Sequence, residues 1–247
     1  MFKRADRMQL IQPFHVMALL ARARELEVQG RSIIDMEIGE PDFVTPQPVI
    51  DAGIRALQDG YTHYTPAVGL QALRERIAEF YRQRYDVNVE PRRIVITPGA
   101  SAALQLAMAV LVNPGDRVLM ADPGYPCNRN FVYLLNGQPL GIPVTAATAY
   151  QPTPQHVREY WTEAVTALLV ASPSNPTGTL LGENSLREFH AIAAAQGGSL
   201  IVDEIYHGLV YDEQATTALA VSNDIFVVNS FSKYFGMTGW RLGWLIA

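Results

Sequence analysis

Cysteine is almost missing from this chain: Cys127 is the one thiol among 247 residues. No internal disulfide can form, which fits a reducing compartment. Around "YPCNRN" nothing activates that thiol, so it reads as an ordinary packed or partly exposed side chain rather than a nucleophile. Long hydrophobic runs are missing as well. No apolar segment reaches the roughly 18 residues that a membrane span requires, and "MFKRADRMQL" is charged without the apolar run of a signal peptide. These absences argue against a membrane partner and predict a cytoplasmic protein. An excess of one charge is also lacking, since 19 Lys and Arg stand against 24 Asp and Glu, with the basic residues scattered. Such a chain has no electrostatic footprint for nucleic acid, and its expected partner is a small molecule. Neither a repeat period nor a low-complexity tract is present.

What remains is a globular composition with a sizeable core: 49% of residues are apolar and 17% charged. From residue 94 onward, short β-rich runs alternate with helical stretches. "RIVIT" precedes "ASAALQLAMAVLV", "RVLMAD" precedes "CNRNFVYLLNG", and "QPLGIPV" precedes "HVREYWTEAV". "TALLVAS" leads into "NSLREFHAIAAAQG", after which come "SLIVDEI", "DIFVVNS" and "GWLIA". Strands this uniformly apolar are buried on both faces, and alternation with helices produces a mostly parallel sheet. The predicted class is α/β, in three layers α/β/α.

Ahead of residue 94 the pattern changes. "FHVMALLARARELEVQG" and "GLQALRERIAEFYRQRY" read as amphipathic helices, and in the second Leu70, Leu73, Ile77 and Phe80 fall on one face. Between them "IGEPDFVTPQP" carries three prolines and a glycine, and is read as a loop. Ligands of open α/β sheets bind beyond the carboxyl ends of the strands, so functional side chains are sought in the strand-to-helix turns.

Those turns are "TPGAS", "DPGYP", "SPSNPTG", "DEIYHG" and "SFSK". Singly, each is the chemistry of an ordinary turn. Together they offer more. A helix opened by "GAS" presents backbone N–H groups, the positive end of a dipole and a hydroxyl, which suit a phosphate. Arg241 and the hydroxyls of Ser230 and Ser232 are candidates to complete that anion site. Asp203 ends an almost wholly apolar strand, where an unpaired carboxylate is costly and calls for a cationic partner, either a side chain or a protonated heterocycle. Lys233 lies among small, aromatic and glycine residues with no acidic residue near it in sequence. A lysine desolvated in this way becomes a covalent handle for a carbonyl.

The segment "SFSKYFGMTGWRLG" resembles the pyridoxal-phosphate attachment signature of class I/II aminotransferases, the aspartate-aminotransferase-like group of fold type I. "GEPDF", "YTPAVGLQALR", "TPGASAAL", "DPGYP", "SNPTG" and "DEIY" resemble that family's other landmarks, in its order, from about residue 37 to the end. The resemblance implies the large domain of the type I fold and pyridoxal 5'-phosphate as cofactor; it implies no metal. It implies that Lys233 forms the internal aldimine and later moves the substrate's α-proton. Asp203 would pair with the pyridinium nitrogen, and Asn175 and Tyr206 would hydrogen-bond the ring's phenolic oxygen. Tyr125 would stack on the ring, while Ala100, Ser101, Ser230, Ser232 and Arg241 would hold the phosphate. Tyr64 resembles a tyrosine that reaches the phosphate from a second subunit, so a homodimer is implied, and Gly39 corresponds to a backbone position against the substrate carboxylate, where Asn175 also contributes.

In that family the chain continues past "GWRLGW" into a smaller C-terminal domain bearing an arginine for the substrate's carboxylate. The expectation is therefore an N-terminal helix or arm at 1–36, a large cofactor domain at 37–247 that is incomplete at its C-terminal end, and no small domain in this chain. The activity implied is ping-pong transamination between an amino acid and a 2-oxo acid, with weak cofactor binding and little turnover expected of residues 1–247 alone. A lyase of the same fold uses the same constellation. A cofactor-sensing regulator would need a DNA-binding module ahead of "DMEIGEPDF", and the residues there read as one helix. A silent scaffold protein would be expected to lose the lysine or the aspartate, and both stand in place.

Overall fold

The computed structural model describes residues 2–36 and 38–247. Its centre is one sheet of seven strands: β1 (Ile94–Thr97), β2 (Arg117–Asp122), β3 (Gln138–Pro143), β4 (Val165–Ala171), β5 (Ser199–Asp203), β6 (Phe226–Ser230) and β7 (Gly243–Ile246). The order across it is β1-β7-β6-β5-β4-β2-β3. From β3 to β6 every neighbouring pair is parallel, as the alternation of runs and helices predicts. β7 is the exception and runs antiparallel to both β6 and β1. The reason is local. Residues 231–242 hold only a 3₁₀ turn, Thr238–Trp240, and no crossover helix that could return the chain to the start of a parallel strand.

Successive residues of the central strands point to opposite faces, and each face has its own core. On one side Leu168 and Val170 of β4, Leu200 and Val202 of β5, and Trp244 pack with α3 (Gln71–Tyr85), α6 (Pro154–Tyr160) and α7 (Glu183–Ala195). On the other, Ala167 and Leu169, Ile201, Val228 and Leu245 pack with α4 (Ala100–Leu111) and α5 (Cys127–Leu134). In α4 the buried residues Ala100, Ala103, Leu104, Ala107 and Met108 repeat at helical spacing, which lays one stripe on the sheet. This is the three-layer arrangement expected.

The N-terminal third departs from expectation in three places. Leu70 does not join the buried face of α3; it precedes the helix and is 52% exposed, and Arg74 and Tyr81 are buried with Ile77 instead. Burial of Arg74 is tolerated because its guanidinium donates to the Pro91 carbonyl and to Gln71. The stretch read as loop through residue 48 gives way at Gln47 to α2 (Gln47–Gln58), a helix absent from the sequence reading. Pro48 sits in its first turn, where a missing N–H costs nothing. The helix α1 (His15–Val28) forms as predicted, yet no residue of it is buried, and Met17 and Leu19 are exposed. Farther along, the helix read to residue 165 stops at Tyr160, where Trp161 turns extended. Among the described residues no helix is long and apolar enough to cross a membrane.

Candidate functional site

The sheet's carboxyl edge gathers most of the residues singled out from sequence. β1 leads through Gly99, held at a φ of 81°, into α4, and no side chain caps that helix. The N–H groups of its first turn, including those of Ala100 and Ser101, therefore have no side-chain acceptor and carry the positive end of the helix dipole. Arg241 closes over them: a Cβ on Gly99 would come within 2.4 Å of its Nη2. Its Nη1 donates to the Thr238 carbonyl at 2.8 Å. Gly243 lets the strand β7 approach this helix start, since a Cβ there would lie 2.7 Å from the Gly99 carbonyl carbon and 2.9 Å from the Ala100 nitrogen. Ser230 and Ser232 are buried beside them with their hydroxyl oxygens 2.8 Å apart, and Ser230 Oγ lies 3.0 Å from the Leu242 carbonyl oxygen. Dipole end, guanidinium and hydroxyls converge here, an arrangement that could hold an anion.

Asp203 stands at the end of β5, deep in the middle of the sheet and 8% exposed. One hydrogen bond reaches its Oδ1, from the Ile205 N–H at 3.0 Å. Burial pushes its carboxyl up to about 6. No side-chain cation is paired with it among the described residues, so its charged form is disfavoured as it stands. Nearby, Asn175 Nδ2 donates to the Tyr206 hydroxyl at 3.2 Å, joining the "SNPTG" loop to the "DEIY" turn. The Tyr206 phenol is raised by burial and then by the charge of Asp203, so it stays a donor. Tyr125 packs edge-on against Phe14, ring centroids 5.9 Å apart, a contact from the N-terminal segment that the sequence did not reveal.

Lys233 lies between these groups. Its Nζ donates to the Gly39 carbonyl at 2.8 Å and sits 5.9 Å from the centre of the Tyr206 ring. Burial lowers the amine's pKa; Glu40 opposes that and Arg241 adds to it. Glu40, far from Lys233 in sequence, is thus the carboxylate that acts on it in the fold. The loop holding Gly39 and Glu40 is tied to the lysine's own segment, because Thr45 Oγ1 donates to the Gly236 carbonyl at 2.8 Å and Trp240 Nε1 donates to Thr45 Oγ1 at 3.0 Å.

Lys233, Asp203, Asn175, Tyr206, Ser230, Ser232, Arg241, Ala100, Ser101 and Gly39 thus share one edge of the sheet, with Tyr125 at the turn after β2. Tyr64 does not join them; it is fully exposed. Beneath the site lie two residues that sequence reading passed over, Glu204 and His207, both buried. The usable signal was their place in "DEIYHG", directly after a strand buried on both faces. Two concavities, of about 510 and 580 Å³, are lined by none of these site residues; Arg93 and Asn223 mark the first, and Arg84 and Thr217 the second.

Residues 31–247 match the family described as aminotransferase class I and II. A (5-formylfuran-3-yl)methyl phosphate transaminase of Methanocaldococcus jannaschii is 37% identical over 98% of this chain and 63% of its own length. A valine–pyruvate aminotransferase of Mycobacterium tuberculosis is 40% identical over 96% of this chain and 61% of its own. Among solved structures, an aminotransferase from Mycobacterium tuberculosis superposes with a TM-score of 0.95 at 39% identity, covering 100% of this chain and 64% of that one. Aspartate aminotransferase from Thermus thermophilus with maleate gives 0.94 at 33% identity, covering 100% and 65%. The chain spans less than two thirds of the length of these relatives.

Proposed function

Because the chain belongs to the class I and II aminotransferase family and shares the type I fold of its relatives, we propose that it forms the cofactor-binding part of a pyridoxal-phosphate-dependent aminotransferase. The observation that carries this proposal is the position of Lys233, a burial-weakened amine with the Arg241 cradle on one side and Tyr206 on the other. Pyridoxal phosphate supplies an aldehyde that condenses with amines and a ring that draws off electron density when its nitrogen is protonated. The residues present fit it. The α4 N–H groups, Ser230, Ser232 and Arg241 would hold the phosphate, and Asp203 would keep the ring nitrogen protonated. Asn175 and Tyr206 donate to the phenolic oxygen, and Tyr125 covers a ring face.

With the cofactor in place, Lys233 would hold its aldehyde and would accept and return the α-proton of the substrate. The backbone at Gly39, 2.8 Å from the lysine amine, positions the substrate carboxylate. The activity would be transfer of an amino group from an amino acid, which would leave as a 2-oxo acid, by way of the cofactor to a second oxo acid. The working unit is a homodimer in which the exposed Tyr64 reaches a neighbouring subunit's phosphate.

The test is an absorbance spectrum with added pyridoxal phosphate, followed by borohydride reduction and peptide mass mapping. A visible band with the reduced adduct on Lys233 is expected. An adduct on another lysine, or no band from folded protein, would overturn the assignment.

A further inference from the structure

Under the turn that carries Asp203 and Tyr206 lies a buried polar layer that the proposed chemistry leaves unused. Glu204 is fully buried, and its carboxyl group accepts the Ala218 N–H at 2.7 Å and the Thr217 hydroxyl at 3.0 Å. His207 is buried next to it, its backbone N–H donating to the Glu204 carbonyl at 2.9 Å. Its imidazole Nδ1 lies 2.9 Å from the Tyr85 hydroxyl and 3.5 Å from Glu204 Oε2.

The protonation states follow from the surroundings. Three titratable or charged groups act on the ring: Glu204 from its own turn, and Tyr85 and Arg84 from α3. Burial pushes the imidazole down to about 4, and Arg84 acts in the same direction, so the ring is neutral at pH 7. The Tyr85 phenol, pushed up to about 12 chiefly by burial, keeps its proton and can donate it to Nδ1, the arrangement that puts the ring proton on Nε2. Nε2 is buried without a hydrogen-bond partner among the described residues, and the Ser172 backbone acts on the ring in the opposite direction to burial, favouring its protonation.

The ring therefore stands between three pieces of the fold: α3, to which Tyr85 ties it, the turn bearing Tyr206, and the loop after β4 that runs from Ser172 to Asn175. Ser172 is itself tied to that turn by its N–H donating to the Asp203 carbonyl at 3.0 Å. The Asn175–Tyr206 hydrogen bond joins two of those pieces by their side chains. We propose that His207 is a positioning residue: wedged between Tyr85, Glu204 and the Ser172 backbone, it fixes the spacing of the Tyr206 turn from the Asn175 loop. It thereby sets the direction in which both side chains donate to the ligand's phenolic oxygen. This rests on the pyridoxal-phosphate reading above.

The readout follows from that oxygen. Donation to it stabilises its full negative charge, which is exposed when the Lys233 nitrogen of the bound cofactor has lost its proton. Misaligned donors raise the pH midpoint of the visible band. In the protein reconstituted with pyridoxal phosphate, His207→Leu is expected to raise the midpoint by about one pH unit and to weaken cofactor binding about tenfold. Tyr85→Phe, which removes only the hydroxyl, should move the midpoint the same way by a few tenths. His207→Asn, which keeps an acceptor where Nδ1 lies, should restore it. In a Tyr206→Phe background the His207→Leu shift should shrink to the part carried by Asn175. An unmoved midpoint in Tyr85→Phe and His207→Leu, or a His207→Leu shift that adds in full to that of Tyr206→Phe, overturns the positioning role alone. Absence of any band in the unsubstituted protein overturns the cofactor reading and this role with it.

Discussion

The Arg241 guanidinium lies so close over Gly99 that a Cβ at Gly99 would come within 2.4 Å of Nη2. One residue is a backbone turn, the other a charge; their contact joins the start of α4 to the segment after Lys233. Gly99 also holds a φ of 81°, where a side chain is strained whatever the space around it. Gly99→Ala should therefore lower stability by about 1–3 kcal/mol and also displace Arg241, weakening pyridoxal phosphate by tenfold or more. Gly115→Ala separates the two effects, because Gly115 has a φ of 94° with nothing near its would-be Cβ. It should lose stability with cofactor affinity unchanged, read by thermal denaturation and fluorescence titration. Equal losses of affinity in both variants would sink the contact as a functional one.

Asp203 makes stability depend on pH in a definite direction. Its carboxyl is pushed up by burial from 3.8 to about 6, so between those values the folded chain binds more protons than the unfolded one. The contribution is fully present below pH 4 and is lost as pH rises through 6. A difference of about 2 in pKa amounts to about 3 kcal/mol at most. Without cofactor, Asp203→Asn should thus match the unsubstituted chain at pH 4 and exceed it in melting temperature at pH 8. Added pyridoxal phosphate should reverse the order at pH 8, since the cation that repays the buried charge is then present. A variant less stable at pH 8 without cofactor would show that a protein group already neutralises Asp203.

How much of this could be read from the chain depends on how local each cause is. Leu168 and Leu169 sit in an unbroken apolar run, and such runs announce strands with two buried faces; the two cores follow. Lys233, Asp203 and Arg241 were legible because a charged group in an apolar or glycine-rich setting is conspicuous on sequence alone. The antiparallel insertion of β7 was not, since it follows from what residues 231–242 lack. Glu40 approaches Lys233 only because Thr45 fastens a distant loop to Gly236 and Trp240. Glu204 and His207 had one signal, their place directly after a strand buried on both faces; in "DEIYHG" they otherwise look like turn residues, and the packing of Tyr85 and Thr217 against them puts them inside.

Phe14 meets Tyr125 edge to face at 5.9 Å and an interplanar angle of 78°. Such pairs contribute about 0.5–1.5 kcal/mol beyond burial. Tyr125 is the residue proposed to cover the cofactor ring, and α1, which begins just after Phe14, buries nothing of its own. Phe14→Ala should then leave the melting temperature of the ligand-free chain within about 1 °C while weakening pyridoxal phosphate roughly two- to tenfold, through a less restrained Tyr125. Burial raises the Tyr125 phenol above its ordinary range, with Cys127 adding to the effect, so the ring stays protonated through mildly alkaline pH. The loss of affinity should therefore be the same at pH 6.5 and 8.5. A loss that grows with pH would point to the Tyr125 hydroxyl and its Cys127 neighbour, and an unchanged affinity would show that Phe14 packs on Tyr125 without restraining it.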